Sequence, residues 1–166
     1  MRTIVVVLIA AACFLSCKKD NTRPGKTVEI YLLKNYQTVT GKCQVDASAS
    51  SLPEIATIKN DDILAYSQTE HQFKLTADAW QKIADLTDFV PFGVTVDRQV
   101  IYYGIFKQSY SSSSCDNSII MGLGLSTENK ISLNLGYPGL IQGVTIDDQR
   151  NNAKLLATLK SQGKLR

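Results

Sequence analysis

Along much of the chain, hydrophobic residues alternate with polar ones at a spacing of two, which is the pattern of half-buried β-strands. The alternation is clearest at Val94/Val96 and Val100/Tyr102, on either side of a polar turn, and it predicts a β-hairpin with strands over 92–96 and 100–106. Further strands are predicted over 27–33, around Cys43, and over 55–58, 63–67, 71–75, 119–125 and 131–135.

Two segments instead have the three- and four-residue spacing of amphipathic helices. The first follows Thr76, a good N-cap, and has Asp78 in its first turn, where the helix dipole favours an anion. The second is predicted over 149–161, opened by the pair Asp147-Asp148 and closed by Gly163. Hairpins with two helices, one central and one terminal, predict an α+β fold with a largely antiparallel sheet and both helices packed on it.

The segment 108–118, QSYSSSSCDNS, is a polar, serine-rich loop between two predicted strands. Aromatic side chains beside hydroxyls and an amide suit the recognition of polar partners, and loops on a rigid sheet often carry function. The candidate partner-binding residues are therefore Tyr102, Tyr103, Tyr110, Ser112, Ser113, Asp116 and Asn117. The alternative is a solvated loop that has only a structural role.

The N-terminus has the pattern of an export signal: the charged Arg2, then an apolar run over 4–15. Those 12 residues are fewer than the roughly 20 that a membrane-spanning helix needs. The residues Phe14-Leu15-Ser16-Cys17, which begin at the end of this run, resemble the lipobox of bacterial lipoproteins, in which the cysteine is acylated and the chain is cut just before it. The alternative is an ordinary secretory signal that has a cysteine near its end.

The resemblance implies a signal peptide over 1–16 and a lipid on Cys17. The polar composition that follows predicts a tether, so 17–26 is a lipidated tether, and the length of 27–166 fits a single domain. Two or more acyl chains on Cys17 would hold the protein stably on a membrane. The expected location is the cell envelope, on the outer membrane, with the periplasmic and surface faces both left open.

The positive charge of the chain is concentrated in the leader and the tether. The whole chain has 18 Lys and Arg against 15 Asp and Glu; without Arg2 and the tether, the domain has 13 against 14, a net charge of −1. A domain without excess positive charge does not neutralise phosphates, so no nucleic-acid partner is expected.

Two cysteines, Cys43 and Cys115, remain in the domain, and an exported protein with such a pair is expected to form a disulfide. The rival interpretation is a Cys115 nucleophile with His71 as its base. Two cysteines and one histidine without paired spacing do not form a recognisable zinc site, so no metal is expected.

No other motif indicates catalysis or a cofactor. His71 is the single histidine, and no G-x-S-x-G elbow accompanies it. The pairs Asp61-Asp62 and Asp147-Asp148 are interpreted as a turn and a helix start, and Gly122-Leu123-Gly124 lacks the third glycine of a dinucleotide site.

Residues 73–106, with KLTADAWQKI followed by FGVTVDRQVIYYGIF, resemble the small periplasmic head of the SecD export component, where a helix introduced by Leu-Thr also precedes a hairpin. This resemblance favours an α+β fold and implies no catalytic activity.

The preferred hypothesis is an envelope lipoprotein that is not an enzyme and binds a protein or glycan partner. The first alternative is an inhibitor or immunity-type lipoprotein that blocks an envelope enzyme with a rigid 108–118 loop. The second is a small envelope hydrolase, which requires His71 to lie within reach of a serine or cysteine.

Overall fold

The computed structural model describes residues 25–123 and 128–166. Seven strands and two α-helices form this part of the chain. They are β1 (Val28–Leu32), β2 (Ile63–Ser67), β3 (Gln72–Leu75), α1 (Ala77–Ala84), β4 (Val90–Val96), β5 (Gln99–Phe106), β6 (Cys115–Leu123), β7 (Lys130–Tyr137) and α2 (Ala153–Ser161).

All seven strands belong to one sheet, in the order β1-β4-β5-β6-β7-β3-β2. Every neighbouring pair is antiparallel except β5 and β6, which run parallel. The predicted α+β fold, with a largely antiparallel sheet and two helices, is therefore confirmed.

The sheet is covered on both faces, which is why β4 is buried along most of its length. Ala79 and Ile83 of α1, and Leu155 and Leu159 of α2, join the main hydrophobic core on one face. On the other face, a smaller cluster of Leu33, Val45, Ile105, Cys115 and Ile120 packs beneath the segment 33–52.

Both outer strands are covered by other parts of the chain. Ile58 pairs with Ile30 along the free side of β1. The C-terminal segment 164–166 pairs with Tyr66 along the free side of β2. Covering outer strands in this way removes the exposed edges on which sheets aggregate.

The local predictions hold best where one pattern decides the structure. Thr76 caps α1 by accepting a hydrogen bond from the Ala79 amide, as predicted. The β4–β5 hairpin is also confirmed, and Asp97 and Arg98 form its turn with positive φ values of 51° and 60°. Gly163 has a φ of +68° just after α2, as expected for a residue that ends a helix.

Four local predictions are wrong. Neither Cys43 nor the segment 55–58 forms a strand, because the chain there makes only an isolated bridge, Thr38 with Val45 or Ile58 with Ile30. The predicted loop 108–118 ends earlier, because β6 begins at Cys115, which pairs with Tyr137. The predicted strand positions 124–125 and the start of the turn after them lie outside the described residues.

The start of α2 is the fourth error. Asp147 and Asp148 do not open the helix; Asn152 caps it by accepting a hydrogen bond from the Lys154 amide. Asp148 instead forms two hydrogen bonds with the guanidinium of Arg150, at 2.8 Å each. Asp148 is therefore paired within the loop that precedes α2, four residues ahead of the cap.

Candidate functional site

The strands β5 and β6 pair over only part of their length. Gly104, Ile105 and Phe106 lie beside Ile119, Ile120 and Met121, and no pair joins the two strands nearer their N-terminal ends. A cleft of about 540 Å³ lies there, lined by Val100 to Tyr103 of β5 and Asn117 to Ile119 of β6. The cleft is therefore a gap in the middle of the sheet.

Two further segments form the walls of this cleft, one on each face of the sheet. Lys42, Gln44, Val45 and Ala47 come from the segment on the smaller cluster's side, and Thr145, Ile146, Asp147 and Gln149 come from the loop before α2. Val45 belongs to the smaller cluster, whereas Ile146 packs against the main core, which places the two walls on opposite faces.

The wall that contains Lys42 is fixed to β6. Cys43 and Cys115 form a disulfide, as predicted, with their Cα atoms 5.1 Å apart. The hydroxyl of Ser118 donates a 2.6 Å hydrogen bond to the carbonyl oxygen of Cys43. A covalent bond and a short hydrogen bond therefore hold this side of the cleft in place.

The connection between the two parallel strands is held by a buried lysine. The Lys107 side chain is fully buried, and its Nζ lies 3.1 Å from Asp88 Oδ2, 2.7 Å from Ser111 Oγ and 3.8 Å from the centre of the Phe89 ring. Because a buried ammonium needs both a counter-charge and hydrogen-bond acceptors, these partners account for its burial.

Asp88 and Tyr137 complete this arrangement. Burial by itself would raise the pKa of Asp88, but hydrogen bonds from Ser111, the Gln108 amide and Lys107 outweigh it and hold that pKa below its ordinary value. The Tyr137 hydroxyl donates to the Ser111 carbonyl at 2.9 Å. Contacts of Lys107 and Ser111 thus hold the first half of the connection 107–114 in place, and the disulfide at Cys115 fixes its end.

The structure divides the predicted partner-binding residues between two places. Tyr102, Tyr103 and Asn117 line the cleft. Tyr110 is 82% exposed, and Ser112 and Ser113 are exposed beside it on the connection. Asp116 follows Cys115 in β6 and accepts a hydrogen bond from the Asn117 amide at 3.1 Å.

The two tyrosines that line the cleft lie on opposite faces of the sheet. A Cβ atom at Gly93 of β4 would lie 3.3 Å from the Tyr103 ring, so this ring leans over β4. Tyr102 is buried in the main core with its ring edge-on to Phe92, and burial raises the pKa of its hydroxyl well above the ordinary value. Within the described chain, the Tyr102 hydroxyl has no hydrogen-bond partner.

His71 lies at the turn before β3 with a φ of 52°. Its Nε2 is 3.1 Å from the amide nitrogen of Asn151, and burial, followed by the nearby Arg150 charge, lowers the pKa of the ring. Over residues 25–123 and 128–166, no serine or cysteine forms a hydrogen bond with this ring. The base–nucleophile pair that the hydrolase hypothesis requires is not formed by these residues.

The acidic pairs are accounted for by local contacts. Asp62 accepts from the Lys59 amide at 3.0 Å and lies 3.4 Å from Lys82. Asp147 accepts from Gln149 at 2.8 Å. In the part of the chain that the structure describes, no group of three His, Cys, Asp or Glu side chains is placed to hold a metal ion.

Sequence reasoning missed most of the cleft, namely Lys42, Gln44, Thr145, Asp147 and Gln149 as lining residues. They lie in two segments about 100 residues apart, so nothing in their local pattern links them. Lys107 was also missed, although its position directly after the apolar end of a predicted strand could have indicated that its side chain is buried.

Comparison with protein-family models, curated proteins and solved structures finds no match to this chain. Of the helices that the structure describes, none has the length and apolar character needed to cross a membrane.

Proposed function

We propose that this chain is a cell-envelope lipoprotein, anchored through Cys17, whose domain acts as a non-enzymatic binding module for a protein or glycan partner. The lipobox resemblance at residues 14–17 supports the anchor. The cleft between β5 and β6 is the observation that carries the binding role.

The size and construction of the cleft support this role. Its volume of about 540 Å³ lies within the range typical of ligand sites. One wall is fixed by the Cys43–Cys115 disulfide. A site that is already ordered loses less entropy when it binds, so more of the contact energy contributes to affinity.

The chemistry of the lining favours a polar ligand without strong net charge. Lys42 and Asp147 are the cation and the anion of the lining, and amides and hydroxyls make up the other polar groups. Such groups both donate and accept hydrogen bonds, as peptide backbones and sugars also do.

The anchor is tested by intact mass and thiol count on protein purified from membranes. We expect the mass of a chain that begins at an acylated Cys17, with no free thiol because Cys43 and Cys115 are bonded. The Cys17→Ser variant should leave the membrane fraction. A wild-type protein that is soluble and lacks a lipid mass would contradict the anchor.

The binding role is tested by filling the cleft. Thr145 and Thr69 are both exposed, but only Thr145 lines the cleft. The mature lipoprotein in detergent micelles is screened against a panel of envelope glycans and a phage-displayed library of random heptapeptides. We expect ligands that bind the wild type and Thr69→Trp but not Thr145→Trp. A screen in which all three proteins behave alike would count against a binding module at the cleft.

A second candidate function, an inhibitor or immunity-type lipoprotein, is favoured by the presentation of Tyr110. This side chain is 82% exposed on a connection tied by Lys107 and Cys115. If it blocks an envelope enzyme, an enzyme captured from envelope extract should be lost in Tyr110→Ala and retained in Tyr36→Ala, a matched change at another exposed tyrosine. Equal capture by both variants would remove this candidate.

A further inference from the structure

We propose that the cleft takes an extended peptide, which adds as a strand along the open side of β5 and places neighbouring side chains against Lys42 and Asp147. This inference rests on the proposed binding function and names its ligand class.

The backbone of β5 provides the first argument. On one side, β5 is paired with β4 along its length, from Gln99 to Phe106. On the other side, its pairing with β6 ends at Gly104. The half of β5 that borders the cleft is therefore an open strand edge that is supported on its other side by β4 and contains one bulged residue, Ile101. An open strand edge is the surface on which a peptide adds by main-chain hydrogen bonds.

The outer strands of the sheet do not offer the same opportunity. Ile58 covers the free side of β1, and residues 164–166 cover the free side of β2. The chain thus protects its outer edges but leaves a gap between two central strands.

The aromatic residues favour a peptide over a sugar. Sugar sites commonly use the free face of an aromatic ring as a platform, in the manner of stacking on a π-face. Here the Tyr103 ring leans over Gly93, and the Tyr102 ring is buried against Phe92. The Tyr102 ring is thus unavailable as a platform and the Tyr103 ring is partly covered, so the lining relies mainly on its hydrogen-bonding groups.

The charges on the two walls predict a feature of the peptide sequence. Lys42 lies on one face of the sheet and Asp147 on the other. Successive side chains of a strand point to opposite faces. An acidic and a basic residue directly next to each other would therefore meet Lys42 and Asp147, whereas the same two residues separated by one position would point to the same face.

The test uses the mature lipoprotein in detergent micelles and the phage-displayed heptapeptide library. Selection against wild type, with subtraction on Thr145→Trp, should enrich sequences that have an acidic and a basic residue at adjacent positions. The enriched peptides are then synthesised with blocked ends and a fluorescent label, and their Kd is measured by anisotropy.

Two matched peptides test the bound conformation. In the first, the acidic and basic residues are moved to positions separated by one residue, with the composition unchanged. In the second, the central amide is N-methylated, which removes a main-chain donor and leaves every side chain in place. Each change should weaken binding at least about tenfold, the equivalent of one well-made hydrogen bond or charge contact.

Charge reversal in the protein tests the two walls. Lys42→Glu and Asp147→Lys should each weaken binding about fivefold to tenfold, because each places a like charge opposite the peptide. The double variant should recover most of the affinity, since the peptide can bind with its faces exchanged. Lys42 and Asp147 are both exposed, so neither change endangers the fold.

The outcomes separate this inference from the proposed function. Equal binding of the N-methylated peptide, or the absence of any peptide that distinguishes wild type from Thr145→Trp, would overturn the added-strand inference. If a glycan from the panel then binds wild type but not Thr145→Trp, the binding module stands and only its ligand class is wrong. If no glycan does so either, the proposed function fails as well.

Discussion

At Gly104, β5 comes so close to its neighbours that there is no room for a side chain. A Cβ atom there would overlap the carbonyl oxygen of Ile119 on β6 and lie 2.6 Å from an atom of the Phe92 ring on β4. The absent side chain allows β5 and β6 to pair at Gly104, where the cleft ends. Gly122 on β6 is different, because its nearest neighbour, the Lys107 carbonyl, would lie at 3.8 Å.

Gly104→Ala is therefore expected to destabilise the domain by about 2–4 kcal/mol, because the overlap can be relieved only by moving backbone or a buried ring. Gly122→Ala is the matched control and should change the free energy of unfolding by less than about 1 kcal/mol. Urea unfolding followed by circular dichroism measures both. Similar losses in the two variants would show that close approach at Gly104 is not the cause.

Among the elements, α2 shows how a contact made beyond the helix shifts its start. The Tyr66 hydroxyl on β2 donates to the Arg150 carbonyl at 2.8 Å, and Arg150 also reaches the Leu133 carbonyl on β7 at 3.0 Å. These bonds tie residue 150 to the sheet as part of a loop. The helix then begins after Asn152, whose side chain accepts from the Lys154 amide in the first turn.

Asn152→Ala is expected to destabilise the domain by about 1 kcal/mol, the usual cost of losing an N-cap. Asp147→Ala should have an effect within about 0.5 kcal/mol, because Asp147 is exposed and does not cap the helix. Urea midpoints of the two variants and wild type are the measurement. A larger loss for Asp147→Ala would support a helix that starts at 149 instead.

The disulfide acts at the junction of β6 with the wall of the cleft. It joins residues 72 positions apart, and the loss of such a cross-link costs about 4 kcal/mol in the chain-entropy model. The double variant Cys43→Ala/Cys115→Ala should therefore lose about 2–4 kcal/mol. Wild-type protein treated with a reductant should unfold at the same urea concentration as this variant, and a reduced protein as stable as the oxidised one would contradict the prediction.

For the whole molecule, most of the ionisable groups whose pKa is shifted stabilise the fold near neutral pH and lose this effect toward acid or alkaline pH. Hydrogen bonds and cations lower the pKa of Asp46, Asp62, Asp88, Glu128 and Asp148, against the effect of burial where it applies. Burial lowers the pKa of His71, raises that of Tyr31 to about 12 and raises those of Tyr66, Tyr102 and Tyr103.

Stability should therefore be greatest between about pH 7 and pH 9. A carboxyl or histidine whose pKa is lowered in the folded protein stabilises the fold at pH values above its ordinary pKa. Stability therefore falls as the pH drops below about 6.5 for His71 and below about 4 for the carboxylates. A raised tyrosine pKa stabilises the fold below its ordinary value, so stability falls above about pH 10. Burial lowers the pKa of Lys164, which opposes this alkaline loss in part.

Urea midpoints measured from about pH 3 to about pH 11 test this profile. In Asp88→Asn, the acid side of the profile should be flatter, because the titrating carboxylate is gone. Stability that rises steadily toward low pH would contradict the assignment of the lowered carboxyl pKa values.

Much of the fold could be predicted from local patterns, which depend only on residues close to one another in the sequence. The alternation about Val94 and Val100 and the cap at Thr76 depend on residues within a few positions of one another, and the structure confirms the hairpin and α1. The α+β class followed from the order of these elements. The Cys43–Cys115 pairing was predictable because the domain has only two cysteines.

The cleft depended on tertiary structure, for a physical reason. It exists because two parallel strands pair over three positions and then separate, and because walls from two distant segments close around the gap. Lys42 and Asp147 look like ordinary exposed charges in the sequence, and Lys107 looks like an ordinary lysine at the end of a predicted strand. Only the packing of the sheet places the first two on opposite sides of a strand edge and buries the third beside Asp88.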